Sequence, residues 1–282
     1  MSFYSKKGFI ILLCISSLTF FSSFNYIRNS LIFMPDEYKS IKKIVNRIAK
    51  NNNLGNQPIT FSINTGYDAY WIAEGLNLCK KDECLFYQRL NPFNTYTGKN
   101  KTQINEIIRQ SYLYSSIEGY AYSHGLITIS RASFSLLANK KDFLGCLIAH
   151  ELVHFLNHDS FKNSLKLGIE GKGLSEEKIS NLEMKISRES ESNADVGAIK
   201  MLARSGYPLD TCIKELEWSY RLAGLGGPTE EDSTHPGYED RHTFMKNFVE
   251  NFNVNSIKET KIETKIKWKY NRDLNTLRFI PY

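Results

Sequence analysis

The stretch CLIAHELVHFLNHDS, Cys146 to Ser160, places histidines at 150, 154 and 158, with Glu151 directly after the first. On an α-helix residues four apart share a face, so His150 and His154 can reach one metal ion. Glu151 is offset by roughly 100 degrees. It falls beside that ion, where a carboxylate can take a proton from metal-held water. The residues around the pair, FLGCLIA and LVHFL, are apolar and predict a mostly buried helix. Two imidazoles and a carboxylate in such a helix need partners, and a metal supplies them. His158 lies too far along the helix to join the same ion and reads as a solvent-facing or supporting residue.

A third ligand must come from elsewhere in the chain. The metzincin extension needs Gly three residues after the second histidine and His three beyond that, but Asn157 and Ser160 stand there. The alternative takes a glutamate from a second helix. SRESESNADVGAIKMLARSGYP supplies it as Glu191-Ser192-Asn193-Ala194-Asp195, an ExxAD pattern with Glu191 and Asp195 one helical turn apart. Ala194 is small enough to let two helices approach closely, and Asp195 can accept the ring N–H of a ligating histidine. Two neutral imidazoles and one carboxylate make zinc the expected ion, one per chain, with water in an open fourth position.

HExxH, then ExxAD about forty residues on, then STHPGYEDR, resembles the zinc metallopeptidases that include HtpX, the Oma-type mitochondrial protease and the CAAX prenyl proteases. The resemblance runs from about Asp36 to Val249. It implies an α+β, zincin-like fold: a small sheet, an HExxH helix beneath it, and further helices around the metal. It also implies a peptide-binding strand edge at Gly119, Tyr120, Ala121 and Tyr122. His235 and Arg241 hold the positions that stabilise transition-state charge in that family. The implied activity is a zinc endopeptidase with Glu151 as general base, acting on unfolded or misassembled polypeptides in quality control or processing at the cell envelope. The rival from another class is a latent or non-catalytic zinc protein that holds unfolded chains, and a more remote one is a zinc hydrolase of another bond type. His124, at a strand turn, reads as structural or cleft-lining, and His242 as structural or surface-exposed.

The rest of the chain frames this reading. It has 282 residues, a net charge of +6 and 41% hydrophobic residues, ordinary values for a globular protein with a sizeable core. No aromatic RNA-binding signature or zinc-finger spacing is present, which argues against a nucleic-acid partner. Lys6 and Lys7 precede GFIILLCISSLTFFSSF, Gly8 to Phe24, an uncharged apolar run. That order reads as a secretory signal peptide or an uncleaved inner-membrane anchor within residues 1–34, exporting the remainder to the periplasm or envelope. Cys79 and Cys84 flank KKDE and are open to two readings, a small disulfide or two free thiols, while Cys146 and Cys212 read as core residues.

Periodicity predicts helices over DEYKSIKKIVNRIAKN, from Phe143 to Asn157, from Ser175 to about Arg204, and over PLDTCIKELEWSYRLAG and PGYEDRHTFMKNFVEN. PITFSI, AYWIA, CLFYQRL, GYAYS and LITIS read as strands. The metallopeptidase domain is expected over residues 35–252, with residues 253–282 as a polar, strand-like tail.

Overall fold

The computed structural model describes residues 34–224, 226–253 and 265–282. The apolar run Gly8–Phe24 lies outside them, and no helix among the described residues is long and apolar enough to cross a membrane. The chain opens with α1 (Asp36–Ala49), β1 (Ile59–Asn64), α2 (Asp68–Gly75), α3 (Leu85–Gln88) and α4 (Lys101–Tyr114). It continues through β2 (Gly119–Ala121), β3 (Leu126–Ser130), α5 (Arg131–Leu136), α6 (Lys141–Asn157), α7 (Asp159–Glu170) and α8 (Glu176–Arg204). It ends with α9 (Thr211–Ala223), α10 (Tyr238–Asn251), β4 (Ile266–Asn271) and β5 (Thr276–Pro281). The result is an α+β fold with one five-stranded sheet in the order β2-β3-β1-β5-β4.

Alternation builds the sheet. Ile59, Phe61 and Ile63 of β1 are fully buried while the residues between them are partly exposed. β1 runs parallel to β3, pairing Phe61 with Ile127, and antiparallel to β5, pairing Ile59 with Phe279. A parallel pair needs a long crossover, and α2 to α4 with β2 fill it. Their apolar faces form a small core of their own around Ala69, Ala73, Ile107 and Ile108.

Three assignments differ from the sequence reading. AYWIA forms α2 rather than a strand, since Ala69 and Ala73, one helical turn apart, are the residues it buries. CLFYQRL, Cys84 to Leu90, forms α3, which follows a turn of 3-10 helix over Lys81–Glu83. Both are short apolar runs whose periodicity does not separate strand from buried helix. The third is the C-terminal segment, drawn as a tail outside the peptidase domain. Residues 266–281 instead form a hairpin within the main sheet, with Tyr270, Leu277 and Phe279 in the main core. Tyr38 of α1 locks it: its hydroxyl donates to the Asn275 carbonyl and accepts the Ile63 N–H.

α6 lies at the centre, burying residues on every side, including Leu144, Ile148, Leu152 and Phe155. α8 packs along it at very short range. A Cβ on Gly197 would sit 2.6 Å from Val153 Cγ1, and Ala194 is fully buried. Larger residues at these two positions would push α8 away from the histidines.

Both cysteine pairs are bridged. Cys79–Cys84 staples the turn between α2 and α3, and Cys146–Cys212 joins α6 to α9 across 66 residues. Cys146 and Cys212 are core residues as the sequence reading had them, and their pairing is what it did not supply. Closing a loop of that length constrains the unfolded chain by about 4 kcal/mol in the chain-entropy treatment. Replacing both Cys146 and Cys212 by alanine should lower stability by about 3–4 kcal/mol in urea titrations. The same change at Cys79 and Cys84 should cost less, because the closed loop is short.

Candidate metal centre

The centre is assembled by α6 and α8. Nε2 of His150 lies 3.2 Å from Glu191 Oε2, and Nε2 of His154 lies 3.3 Å from Glu191 Oε1. The two Nε2 atoms are 3.0 Å apart. Ligands about 2.05 Å from a tetrahedral zinc are separated by about 3.3 Å. The observed triangle therefore has the dimensions of one face of such a site, and His150, His154 and Glu191 lie close enough to bind a metal.

Each histidine is oriented from behind. His150 Nδ1 is 3.0 Å from Asp195 Oδ1, and His154 Nδ1 is 2.8 Å from Asp159 Oδ2. With Nδ1–H donated to a carboxylate, each ring presents its Nε2 lone pair to the metal position. Sequence reasoning identified Asp195 but missed Asp159. His158 ends α6 in the left-handed conformation, φ +57°, and this turn brings Asp159 back onto His154. Helical periodicity carries no signal for such a reversal.

Arg241 completes a chain of contacts. Its Nε donates to Asp195 Oδ2 at 2.6 Å and its Nη2 to Asp195 Oδ1 at 2.6 Å. This fork to Asp195 is a contact that the resemblance did not supply. Two of its donors engage a buried carboxylate that lies behind His150. His235 is placed otherwise: its Nδ1 is 3.2 Å from Glu191 Oε2, and its side chain is 62% exposed. The loop bearing it is fixed by Arg188, which donates to the Ser233 carbonyl at 2.8 Å, and by Asp240, which accepts from Thr229 N–H and hydroxyl. Gly237 is required there, because a Cβ would sit 2.3 Å from the Pro228 backbone.

The electrostatics favour a cation at the triangle. Burial disfavours charge on His150, yet Asp195 and Glu191 outweigh it and raise its pKa to about 10. His154 is likewise raised to about 9 against burial, by Asp159 and Glu191. Glu191 is held far below the usual carboxylate range by the three histidines despite its burial. Burial pushes Asp195 up and the Arg241 charge more than reverses it, leaving it at about 2. Glu151, by contrast, is raised by burial, which poises it as a proton acceptor.

β2 borders the site. A Cβ on Gly119 would meet Glu151 Cγ at 2.8 Å and Oε1 at 2.9 Å, so glycine lets the strand lie directly on that carboxylate. Tyr120 is exposed and Ala121 and Tyr122 partly so. Of the remaining histidines, His124 and His158 are exposed, and His242 pairs with Glu217 at 3.0 Å. Glu118, just before β2, was not singled out from sequence. Its carboxylate accepts the Tyr67 N–H at 2.8 Å, and burial pushes its pKa up to about 7.

Three measurements test this geometry. Asp159→Ala should weaken metal binding about 10- to 100-fold in chelator competition. Arg241→Ala leaves Asp195 buried without its counter-charge and should cost about 3–5 kcal/mol of stability in urea. Glu118 ionises near pH 4.5 when unfolded and near pH 7 when folded, so its stabilising protonated form is complete below 4.5 and lost as pH rises through 7. Relative to Glu118→Gln, the native chain should therefore lose on the order of 3 kcal/mol across that window.

The profile of Peptidase family M48 matches residues 173–249. That span takes in Glu191, Asp195, His235 and Arg241 but stops short of the HExxH helix, so the histidine half of the centre is an independent observation. Neither the curated proteins nor the solved structures contain a match to the chain. Over the second ligand helix and α10 the chain is thus similar to peptidase family M48, and that helix forms the metal triangle with His150 and His154.

Proposed function

We propose that the protein is a zinc endopeptidase that cuts extended polypeptide laid along the open edge of β2. The observation that carries this reading is the position of Glu151, buried between the metal triangle and Gly119 of an edge strand. His150, His154 and Glu191 would hold the ion, and the donor set of two imidazoles and one carboxylate suits zinc. When bound, zinc supplies Lewis acidity toward water and the scissile carbonyl.

The chain's own groups do the remainder. Glu151 accepts a proton from the attacking water on its carboxylate and returns it to the departing amine. Asp195 and Asp159 hold the imidazoles in one tautomer, and Arg241 keeps Asp195 ionised so that it can do so. His235, on the exposed side of Glu191, stands where it can donate to charge developing on the carbonyl oxygen. The edge of β2 offers main-chain groups to the substrate, which favours unfolded over folded polypeptide.

Export to the envelope is part of the proposal. The Lys6-Lys7 start and the apolar run Gly8–Phe24 support it, and two disulfides suit an oxidising compartment. Envelope protein quality control is the proposed setting.

Wild type should degrade unfolded casein, and Glu151→Gln should keep its metal and lose cleavage by at least a hundredfold. Retention of casein by both proteins with no cleavage by either would favour a holding role. His235→Ala should keep both fold and metal while kcat falls about a hundredfold and KM changes little. Loss of metal from His235→Ala would instead make His235 a fourth ligand.

A further inference from the structure

The proposed substrate edge has a second feature that the hydrolytic groups do not use. β2 ends the sheet order, so among the described residues no strand pairs its outer side. The Glu118 carbonyl accepts from Ser130 N–H at 3.0 Å, and Tyr122 N–H donates to the Leu126 carbonyl at 2.8 Å. Alternation along an antiparallel strand then turns the main-chain groups of Gly119 and Ala121 outward. The same alternation divides the side chains. Gly119 lies on the face that touches Glu151. Glu118 and Tyr120 therefore lie on the opposite face, away from the metal.

An aromatic group borders that opposite face. Tyr67 donates its N–H to Glu118, and Ser116 donates its hydroxyl to Asp68 at 2.9 Å, so the start of α2 is tied to the residues entering β2. The Tyr67 ring stacks parallel to Tyr70 at 5.8 Å and meets Trp71 edge-on at 5.8 Å. Tyr67 and Trp71 are each 47% exposed, and Tyr120 is 58% exposed. α2 uses its other side, Ala69 and Ala73, for packing, and the turn that follows is stapled by Cys79–Cys84. The Tyr70 hydroxyl donates to the Lys81 carbonyl within that stapled turn. Tyr67 and Trp71 are thus held on a rigid scaffold and stay about half exposed, while Tyr120 packs against Tyr122 at 4.6 Å and keeps the rest of its ring exposed.

We propose that Tyr67, Trp71 and Tyr120 form an aromatic subsite selecting large apolar or aromatic side chains on the face of the bound strand turned away from the metal. The inference rests on the peptidase reading. It adds to it a preference at alternate substrate positions, out of phase with the residue presented to the metal. Aromatic contact of this kind corresponds to about a tenfold preference. Because the subsite is remote from the reacting carbonyl, the preference should reside in KM rather than kcat.

The test uses the full-length chain and a peptide series in which phenylalanine or serine is placed at each position flanking the cut. Wild type should favour phenylalanine about tenfold in kcat/KM, through KM, at one position or at positions two apart. In Tyr67→Ser/Trp71→Ser, and in the milder Trp71→Ser, that ratio should fall toward one. Tyr67→Phe/Trp71→Phe should restore it. A ratio unchanged in the serine variants would overturn the subsite, as would a preference confined to positions in phase with the residue at the metal. Affinities of Glu151→Gln for the same peptides, by calorimetry, separate this from the underlying reading. Absence of Glu151-dependent cleavage by wild type would remove the peptidase reading alone. Equal affinities for phenylalanine and serine peptides would remove the subsite whether or not cleavage occurs.

Discussion

Asp195 is the residue on which the centre depends. It is almost fully buried, and its two oxygens are shared between the His150 ring on one side and the Arg241 guanidinium on the other. A buried carboxylate is costly without compensation, and here the compensation comes from α6 and α10 together. Three helices are thereby held at one point. Arg241 of α10 reaches the candidate metal centre through Asp195.

The same logic governs how closely the helices approach. Gly197 and Ala194 remove side-chain bulk where α8 crosses α6, and Gly119 removes it where β2 crosses Glu151. Each contact is a backbone approach that a larger residue would forbid. Together they set Glu191 against the histidines and the sheet edge against the proposed base. Function at this site is therefore a matter of omitted atoms as much as of placed ones.

The parts farther out are devoted to rigidity. The C-terminal hairpin closes the sheet beside β1, fastened by the Tyr38 hydroxyl between Asn275 and Ile63. Cys146–Cys212 joins the HExxH helix to α9 only four residues before His150. A site that must hold three ligand atoms in a fixed triangle benefits from such anchoring, since small displacements of ligands weaken metal binding steeply.

The sequence by itself determined the metal triangle and its ordering: His150 and His154 by four-residue spacing, Glu191 and Asp195 by the same spacing on a second helix. These are local periodicities, and a helix converts them directly into a shared face. Also legible were β1, β2, β3 and the helices α1, α6, α8, α9 and α10, whereas α4 and α7 were not read from their patterns. What only the tertiary structure decided was pairing across distance. Asp159 reaches His154 because His158 adopts a left-handed turn, and Arg241 faces Asp195 because α10 docks there. Cys146 finds Cys212, and the final hairpin finds β1, for the same reason. AYWIA became helical because its two alanines had an apolar neighbour to meet in α4. In each case the outcome depends on which surfaces are left to bury once the neighbours have folded, and no local spacing encodes that.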